Sequence, residues 1–365
     1  MGVAEDTTLL IDTDVHESPP QGRGMKDLIP YFDPHWQRYI KGVGGEWQGH
    51  GTSSTYITPL PPYGNRADWN VNGERAGSTV EEMQKQLFEG EGVSIAILGG
   101  PNFSPSGLVT DPEFATALAS AYNDYEIENW LDKDERLRGS VHVAAQVPEA
   151  AAREIDRVGA HPQIVQVLLP LATDKQWGDP IYRPIWEAAL RNDLVLSFHH
   201  TNRTQTTLGW PRYFIEWHTM AAPQAAQNQV LSLICSGTFD RYPELKVVML
   251  EGGVTWVHWL IWRLDQQYRE LRQNIPWVKR LPSEHIRDNV RVATQPMTEV
   301  TTSEFVKLIE MTDTARCYVF ATDYPHYDAD TPRNVLPRSL PPELLRRIRY
   351  QNALETFPRL ANLAN

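Results

Sequence analysis

The stretch TLLIDTDVHESPP, residues 8–20, decides the fold because it begins as a buried strand and ends in acidic and histidine side chains. Its first half is apolar and partly β-branched, which is typical of the interior of a strand. Asp12, Asp14 and His16 then follow at every second position, and alternate residues of a strand point to the same face. This pattern fits either a hydrogen-bonded strand terminus or half of a metal site.

Seven further runs along the chain are strand-like, and a helix candidate follows each strand candidate. Eight strand-then-helix units predict a parallel sheet, and eight is the number of strands that closes into a barrel. No linker separates two domains, so we expect one α/β domain over residues 1–365, a single (β/α)8 TIM barrel. The strand candidates are residues 8–16, 93–100, 139–145, 164–171, 194–200, 246–253, 290–296 and 317–325. The helix candidates start near Thr79 and then span 111–131, 148–160, 179–193, 223–239, 255–273, 302–313 and 342–357.

Two intervals, residues 17–78 after the first strand and 201–222 after the fifth, interrupt this alternation. Both are rich in aromatic residues, which argues against disorder. Loops after the strands of such a barrel lie on the face that holds the active site. We therefore expect these two insertions to be packed lid segments over a substrate pocket.

The composition describes a soluble globular protein, with 41% hydrophobic and 22% charged residues. A formal net charge of −12 disfavours nucleic acid as a partner, because such binding depends on Lys and Arg. We see no signal peptide and no apolar stretch long enough to span a membrane. The two cysteines, Cys235 and Cys317, allow no disulfide framework, so we expect a cytoplasmic protein that does not bind membranes.

Metal-ligand residue types recur at the ends of other strand candidates. The fifth strand ends in LSFHHTN with His199 and His200, the sixth in VMLEGG with Glu251, and the eighth in FATDYPHYD with Asp323. Taken singly, a histidine here is more often a structural hydrogen-bonding residue, and an aspartate before a turn is more often a cap. Their joint occurrence at strand ends that a barrel brings together favours a functional site.

The order D-x-D-x-H, then a His after strand five, then an Asp in TDYPH at strand eight, resembles the amidohydrolase superfamily. It is similar to the branch of aminocarboxymuconate-semialdehyde decarboxylase and the resorcylate decarboxylases. The resemblance extends to SGTFDRYPELKVVMLEGG (236–253) and NALETFPRL (352–360). It implies a (β/α)8 barrel with one divalent metal ion per chain, zinc first and manganese second. Carried over residue by residue, it implies the ligands Asp14, His16, His199 and Asp323.

The chain departs from the family pattern at two positions. Asp14 stands where the family has His or Glu, and its shorter side chain either falls short of the metal or binds it through water. Glu251 precedes two glycines where the decarboxylases have His-Gly-Gly, and that His is the family's proposed proton-transfer group. Glutamate does the same work if burial raises its pKa toward neutrality. The alternative is that Glu251 only holds its loop in place.

The fourth strand, IVQVLLPLA, contains no lysine before Lys175. Binuclear members of the superfamily carry a bridging carboxylated lysine at the end of this strand. The resemblance therefore implies a mononuclear site.

Several other residues are candidates for the pocket. Besides Glu251 and Asp323, we assign a catalytic role to His326, which we expect beside the metal site. His218, Arg203 and Trp210 are candidates for substrate binding. We expect Arg66 on the surface and His200, on the opposite side of its strand from His199, in the packing. The Trp-rich helix TWVHWLIWRL is a barrel-packing or subunit interface, in keeping with a homodimer.

Three functions are compatible with these residues. The first is a mononuclear metal-dependent decarboxylase that removes carbon dioxide from a small aromatic or unsaturated carboxylic acid without a redox cofactor. The second is a hydrolase of an amide, lactone or ester that uses metal-bound hydroxide with Glu251 as the base. The third is a barrel that has lost catalysis and serves as a binding protein. Metal content separates the third from the others, and released carbon dioxide separates the first from the second.

Overall fold

Eight parallel strands form one sheet in which each strand pairs with the next strand along the chain. The computed structural model describes residues 9–17, 26–42, 65–72, 75–100, 109–201, 209, 212–297, 300–337 and 339–364. Seven strands lie within the runs predicted for them, and the third begins at Leu137, two residues before its predicted run. The strands are β1 Ile11–Val15, β2 Ile95–Leu98, β3 Leu137–His142, β4 Ile164–Pro170, β5 Val195–His199, β6 Val247–Met249, β7 Val290–Ala293 and β8 Tyr318–Val319.

Hydrogen bonds between β1 and the segment around β8 close the sheet into a barrel. The amide of Thr13 donates to the carbonyl of Phe320 at 3.0 Å, and the amide of His16 donates to the carbonyl of Tyr324 at 2.7 Å. Just beyond β8, the amide of Asp323 donates to the carbonyl of Asp14 at 3.0 Å. These bonds confirm the predicted (β/α)8 barrel and place the first and last strand ends side by side.

Helices follow the strands and pack their apolar faces against the sheet, and several begin at the predicted caps. Asp111, for example, accepts hydrogen bonds from the amides of Glu113 and Phe114 ahead of a helix with proline in its first turn. The helices are α1 Pro34–Gly42, α2 Val80–Met83, which a π-helical turn Gln84–Gly90 continues, α3 Pro112–Asn129, α4 Pro148–Val158, α5 Arg183–Arg191, α6 Phe214–Cys235, α7 Thr238–Arg241, α8 Trp256–Leu271, α9 Pro282–Asn289, α10 Thr302–Thr312, α11 Pro332–Val335, α12 Pro342–Arg346, continued by a π-helical turn Arg347–Gln351, and α13 Asn352–Thr356. Short 3₁₀ turns lie at Ile29–Tyr31, Ala67–Trp69, Leu131–Lys133, Pro180–Tyr182, Arg272–Asn274 and Pro358–Ala364.

The sequence placed the start of α6 too late. We expected a helix from residue 223 after an irregular insertion, but the helix begins at Phe214 and contains Pro223 in its interior. Proline is common in the first helical turn, which made Pro223 look like a start signal, yet it is also tolerated inside a long packed helix. The second half of the 201–222 insertion is therefore helical, and α1 and α9 are helices that the sequence did not predict.

The apolar core lies between the sheet and the surrounding helices, with a second cluster that includes Ile11, Val248, Val319 and Phe357. Burial of this size is the main stabilising term for a single large domain. Within the described part of the chain, every helix is too short or too polar to span a bilayer.

Candidate metal centre

Four ligand-type side chains from three strand ends meet on one face of the barrel. Asp14 lies near the end of β1, His16 just after it, His199 is the last residue of β5, and Asp323 follows β8. All four are buried, and their potential ligand atoms lie within 4.8 Å of one another. The set that the resemblance implied is therefore assembled here, and the short side chain of Asp14 reaches into the cluster.

The distances within the cluster fit a cation better than they fit direct hydrogen bonding. Nε2 of His16 lies 3.3 Å from Oδ1 of Asp14 and 3.1 Å from Oδ1 of Asp323, and Nε2 of His199 lies 3.9 Å from Oδ2 of Asp14. Among the described residues, both carboxylate oxygens of Asp14 and Nε2 of both histidines have no hydrogen-bond partner. Buried polar atoms are rarely left unpaired, so these converging atoms fit a bound divalent ion.

Neighbouring backbone carbonyls orient the two imidazoles toward the cluster. Nδ1 of His16 donates to the carbonyl of Gly100 at 2.8 Å, and Nδ1 of His199 donates to the carbonyl of His200 at 2.6 Å. A proton on Nδ1 leaves Nε2 unprotonated in the neutral ring, which is the form that binds a metal. Both rings are thus held in the tautomer that a metal site needs.

The charges of the site also favour a cation. Burial by itself lowers the pKa of His16, but the neighbouring carboxylates of Asp14 and Asp323 outweigh this and raise the pKa well above its ordinary value. Burial likewise opposes protonation of His199, while the charges of Asp14 and Glu251 raise its pKa to about 9. The cluster therefore stabilises positive charge, which a divalent ion supplies when it displaces these protons.

Glu251 lies against the cluster at the end of the β6 segment, in a left-handed backbone conformation with φ of 49°. Its Oε2 lies 3.1 Å from Nε2 of His199 and 2.6 Å from Nε2 of His200. Burial tends to raise the pKa of Glu251, but the two imidazoles outweigh burial and hold the pKa well below its ordinary value. The condition named for glutamate to replace the family's His, a pKa raised toward neutrality, is therefore not met.

His200 was expected to point away from the site and to serve in packing, and this was wrong. Strand β5 ends at His199, so the alternation of faces does not extend to His200. The half-buried His200 instead turns its Nε2 to Glu251 and packs edge-on against Trp217. His200 and Glu251 form a polar pair next to the metal ligands.

His326 lies beside the cluster, as the sequence indicated. Its Nδ1 is 2.6 Å from Oδ1 of Asp323, and its ring packs against that of His16 at a centroid distance of 4.6 Å. Asp12, the first acid of the D-x-D-x-H pattern, accepts hydrogen bonds from the side chain and amide of Thr322 at 2.6 and 3.0 Å instead of joining the cluster. Asp12 thus links β1 to the segment after β8.

A cavity of about 380 Å³ adjoins Glu251 and His200. His218, from the first turns of α6, lines it, as does Asp328, and Nε2 of His218 lies 3.2 Å from Oδ2 of Asp328. The sequence did not single out Asp328, although its place five residues after Asp323 was a usable signal. The other lining residues that sequence reasoning missed include Trp217, Tyr327 and Asp330.

Two of the proposed substrate-binding residues, Arg203 and Trp210, lie outside the described residues, as does most of the 17–78 insertion. Arg66 is described. Its guanidinium pairs with the exposed carboxylate of Asp68 and stacks on Trp69 at 3.9 Å, in agreement with the expected surface position.

Residues 11–359, nearly the whole length of the chain, match the amidohydrolase family. The chain belongs to the amidohydrolase family. It is an enzyme of this superfamily, and residues 11–359 include every strand of the barrel and all four residues of the cluster. The resemblance that the strand-end motifs indicated is thereby confirmed.

Among curated proteins, this amidohydrolase is 25% identical over 212 residues to the gamma-resorcylate decarboxylase of Polaromonas sp. (strain JS666). The matched region covers 56% of this chain and 62% of that relative, so the chain spans less than two thirds of its length. Similar proteins of this kind include further gamma-resorcylate decarboxylases.

Solved structures support the fold. The 5-carboxyvanillate decarboxylase of Sphingomonas paucimobilis superimposes with a TM-score of 0.69 and 20% identity, covering 96% of this amidohydrolase and 99% of that chain. The dihydroxybenzoic acid decarboxylase of Polaromonas sp. JS666, with bound manganese and the inhibitor 2-nitroresorcinol, gives a TM-score of 0.67 and 19% identity. It covers 97% of this chain and 98% of that one.

Proposed function

We propose that this amidohydrolase is a metal-dependent, non-oxidative decarboxylase of a small aromatic carboxylic acid. The observation that supports this is the buried cluster of Asp14, His16, His199 and Asp323, which contains ligand atoms without a hydrogen-bond partner. Glu251 contacts His199 and lines the neighbouring cavity. The named relatives, which decarboxylate resorcylate or carboxyvanillate, support the same reaction class.

The four cluster residues would hold one divalent ion, which supplies a positive charge for the substrate's carboxylate and a neighbouring oxygen when it is bound. Two carboxylates and two imidazoles suit either zinc or manganese, and we propose one of these two ions. The manganese in the related Polaromonas structure supports the second choice.

In decarboxylation, the protein itself would donate a proton to the ring carbon that loses the carboxylate. Breaking the bond between the ring and the carboxylate releases carbon dioxide and leaves an electron pair on the carbon, which must accept one proton. The pair formed by Nε2 of His200 and Oε2 of Glu251, 2.6 Å apart at the cavity wall, holds a proton for this transfer. His326 would keep the carboxylate of Asp323 in place through its 2.6 Å contact.

The second candidate function is hydrolysis of an amide, lactone or ester. One observation favours it: the low pKa of Glu251 makes this side chain a carboxylate, which accepts a proton from water. Glu251 would then act as the base, with His200 stabilising its charge.

A deuterium experiment separates the two reactions. Protein loaded with manganese or zinc is incubated in D₂O with 2-hydroxybenzoic acids and, separately, with the matching amides and lactones. Decarboxylation releases carbon dioxide and leaves one deuterium at the former carboxylate position, while hydrolysis incorporates solvent oxygen and releases no gas. Hydrolysis with no gas from any of the acids would favour the second function.

We also propose a domain organisation, a location and an oligomeric state. We propose that the chain forms one domain, which the match over residues 11–359 supports. We propose a cytoplasmic enzyme, supported by two cysteines that form no disulfide. A homodimer is supported by Trp259 and Trp262, which are exposed on neighbouring turns of α8, and sedimentation velocity tests it.

A further inference from the structure

The cavity beside the metal cluster has an acidic wall. Glu251, Asp328 and Asp330 all line it, and the described lining residues include no lysine or arginine. The basic groups that face these carboxyls are His200 and His218. Each of these two imidazoles already lies within 3.2 Å of a carboxylate of the protein. Neither is therefore free to pair with a second carboxylate on a substrate.

Asp328 is fixed on this wall from two sides. Nε2 of His218 lies 3.2 Å from its Oδ2, and the side-chain amide of Gln295 donates to the same oxygen at 3.4 Å. The ring of His218 is itself held between Phe214 and Tyr327, with centroid distances of 5.4 and 5.9 Å. The carboxylate therefore has a set direction before any substrate enters, as a specificity group requires.

Asp330 adds to the acidic character deeper in the wall. Its Oδ2 accepts a hydrogen bond from the amide of Met297 at 2.9 Å, and the side chain is buried. This bond fixes the carboxyl group in the wall, where it offers acceptor oxygens and no positive charge.

Glu251 connects the acidic wall to the metal cluster. It is 3.1 Å from the ligand atom of His199, and it also has a carboxylate oxygen within 4.8 Å of ligand atoms of His218 and Asp328. A single aromatic ring with its carboxylate at the metal cluster and its other end in this cavity would have Asp328 among its neighbours. The cavity volume, at the small end of the range for ligand pockets, suits one ring.

We propose that the substrate is an aromatic acid with a single carboxylate and a hydroxyl or amino group on the far side of its ring, and that Asp328 accepts a hydrogen bond from that group. This inference rests on the proposed decarboxylation, because that reaction places the carboxylate at the metal cluster. An ionised carboxylate only accepts hydrogen bonds, so Asp328 pairs with a donor and repels a second carboxylate. We therefore expect dicarboxylic acids to bind more weakly than acids with a single carboxylate.

Calorimetric binding to manganese-loaded protein tests the inference without turnover. The probes are 2-hydroxybenzoate and its derivatives with either a hydroxyl or a carboxylate at ring position 4, and the pair is repeated at position 5. We expect the hydroxylated compound to bind at least about tenfold more tightly than its carboxylated counterpart at one of the two positions. Equal or tighter binding of the carboxylated compounds at both positions overturns the inference.

Asp328→Asn removes the charge and keeps the shape of the side chain. It should tighten binding of the carboxylated probe about tenfold and leave 2-hydroxybenzoate within about twofold, since the latter has no group to meet Asp328. Asp156→Asn, an exposed position on α4 that pairs with Arg191, is the matched control and should change neither. An unchanged preference in a folded Asp328→Asn protein overturns the role of Asp328, and if this variant does not fold, the wild-type ratio decides.

The outcome is separable from that of the proposed function. A protein that binds the probes in this order and releases no carbon dioxide from any acid supports the inference and overturns decarboxylation. Release of carbon dioxide from a dicarboxylic acid that binds as tightly as its hydroxylated counterpart supports decarboxylation and overturns the inference.

Discussion

Nδ1 of His16 donates a hydrogen bond to the carbonyl of Gly100 at 2.8 Å. Gly100 has a φ of +74°, and a Cβ at this position would lie 2.4 Å from Cε1 of His142. The amide of Gly100 also donates to Oε2 of Glu17 at 3.1 Å, and Glu17 in turn accepts a hydrogen bond from Tyr122. These contacts fix the carbonyl of Gly100, which orients the ring of His16. Of the residues involved, His16 alone belongs to the cluster.

Gly100→Ala should therefore weaken metal binding. The added methyl group must displace His142 or the backbone, which moves the carbonyl away from His16 and loosens its ring. Loss of such an outer partner typically costs 10- to 100-fold in metal affinity, and we expect that range. Competition with a chelator measures it.

Gly92→Ala is the matched control for this variant. Gly92 has nearly the same backbone conformation, with φ of +73°, but a Cβ there meets nothing within 4 Å. Both variants should lose roughly 1 kcal/mol of stability from the positive φ. An equal loss of metal affinity in both would show that the effect is general destabilisation.

His199→Ala should lose most of the bound metal, because Nε2 of His199 is one of the four converging ligand atoms. Elemental analysis of the purified protein, after dialysis against a defined concentration of zinc or manganese, gives the occupancy. His161→Ala, in the segment between α4 and β4 where the ring of His161 faces Asp132, should keep about one ion per chain. Full occupancy in His199→Ala would contradict the ligand assignment.

Glu251→Gln should keep the metal and lose turnover. The amide retains the shape of the side chain, but it no longer holds or accepts a proton beside His200. The expected loss is roughly 10²- to 10⁴-fold in kcat, the range for positioned acid–base groups. If Glu251 only braces its loop, activity per folded molecule stays near that of the wild type while the melting temperature falls, and His326 becomes the next residue to test.

Metal affinity should rise with pH between about 6.5 and 9. Although burial opposes its protonation, the charges of Asp14 and Glu251 raise the pKa of His199 from 6.5 to about 9 in the ion-free protein. Within this window the ion displaces a proton from Nε2, so each lower pH unit weakens binding up to about tenfold per displaced proton.

The same shift predicts an opposite trend for the ion-free protein. A raised pKa contributes stability that is complete below 6.5 and is lost as the pH rises through about 9. The difference in melting temperature between metal-loaded and metal-free protein should therefore grow across this window. Chelator competition and thermal unfolding at pH 6.5, 7.5 and 8.5 check both trends, and flat profiles would remove His199 from the ligands.

The strand ends were predictable because their signals are local. Period-two alternation placed Asp14 and His16 on one face, and strand order put His199 and Asp323 at the same end of the barrel. The behaviour of His200 was not predictable in this way, because it depends on β5 ending one residue earlier than the run predicted for it.

Other features depend on contacts between distant segments. The pKa of Glu251 is set by two histidines from another strand, and the partnership of His218 with Asp328 joins α6 to the segment after β8. The start of α6 was misplaced because a proline such as Pro223 occurs either in the first turn of a helix or inside a long packed helix. Only packing decides between these two positions.

The contacts between β1 and the segment after β8 have a consequence for the synthesis of the protein. Asp12 and Thr322 hydrogen-bond across 310 positions of sequence, and the two cluster aspartates lie beside them. A chain emerging from the ribosome holds its first two ligands for nearly the whole of synthesis before the last one appears. The full set of four cluster residues therefore exists only once the segment after β8 has been made, and a truncated product that lacks this segment has no Asp323.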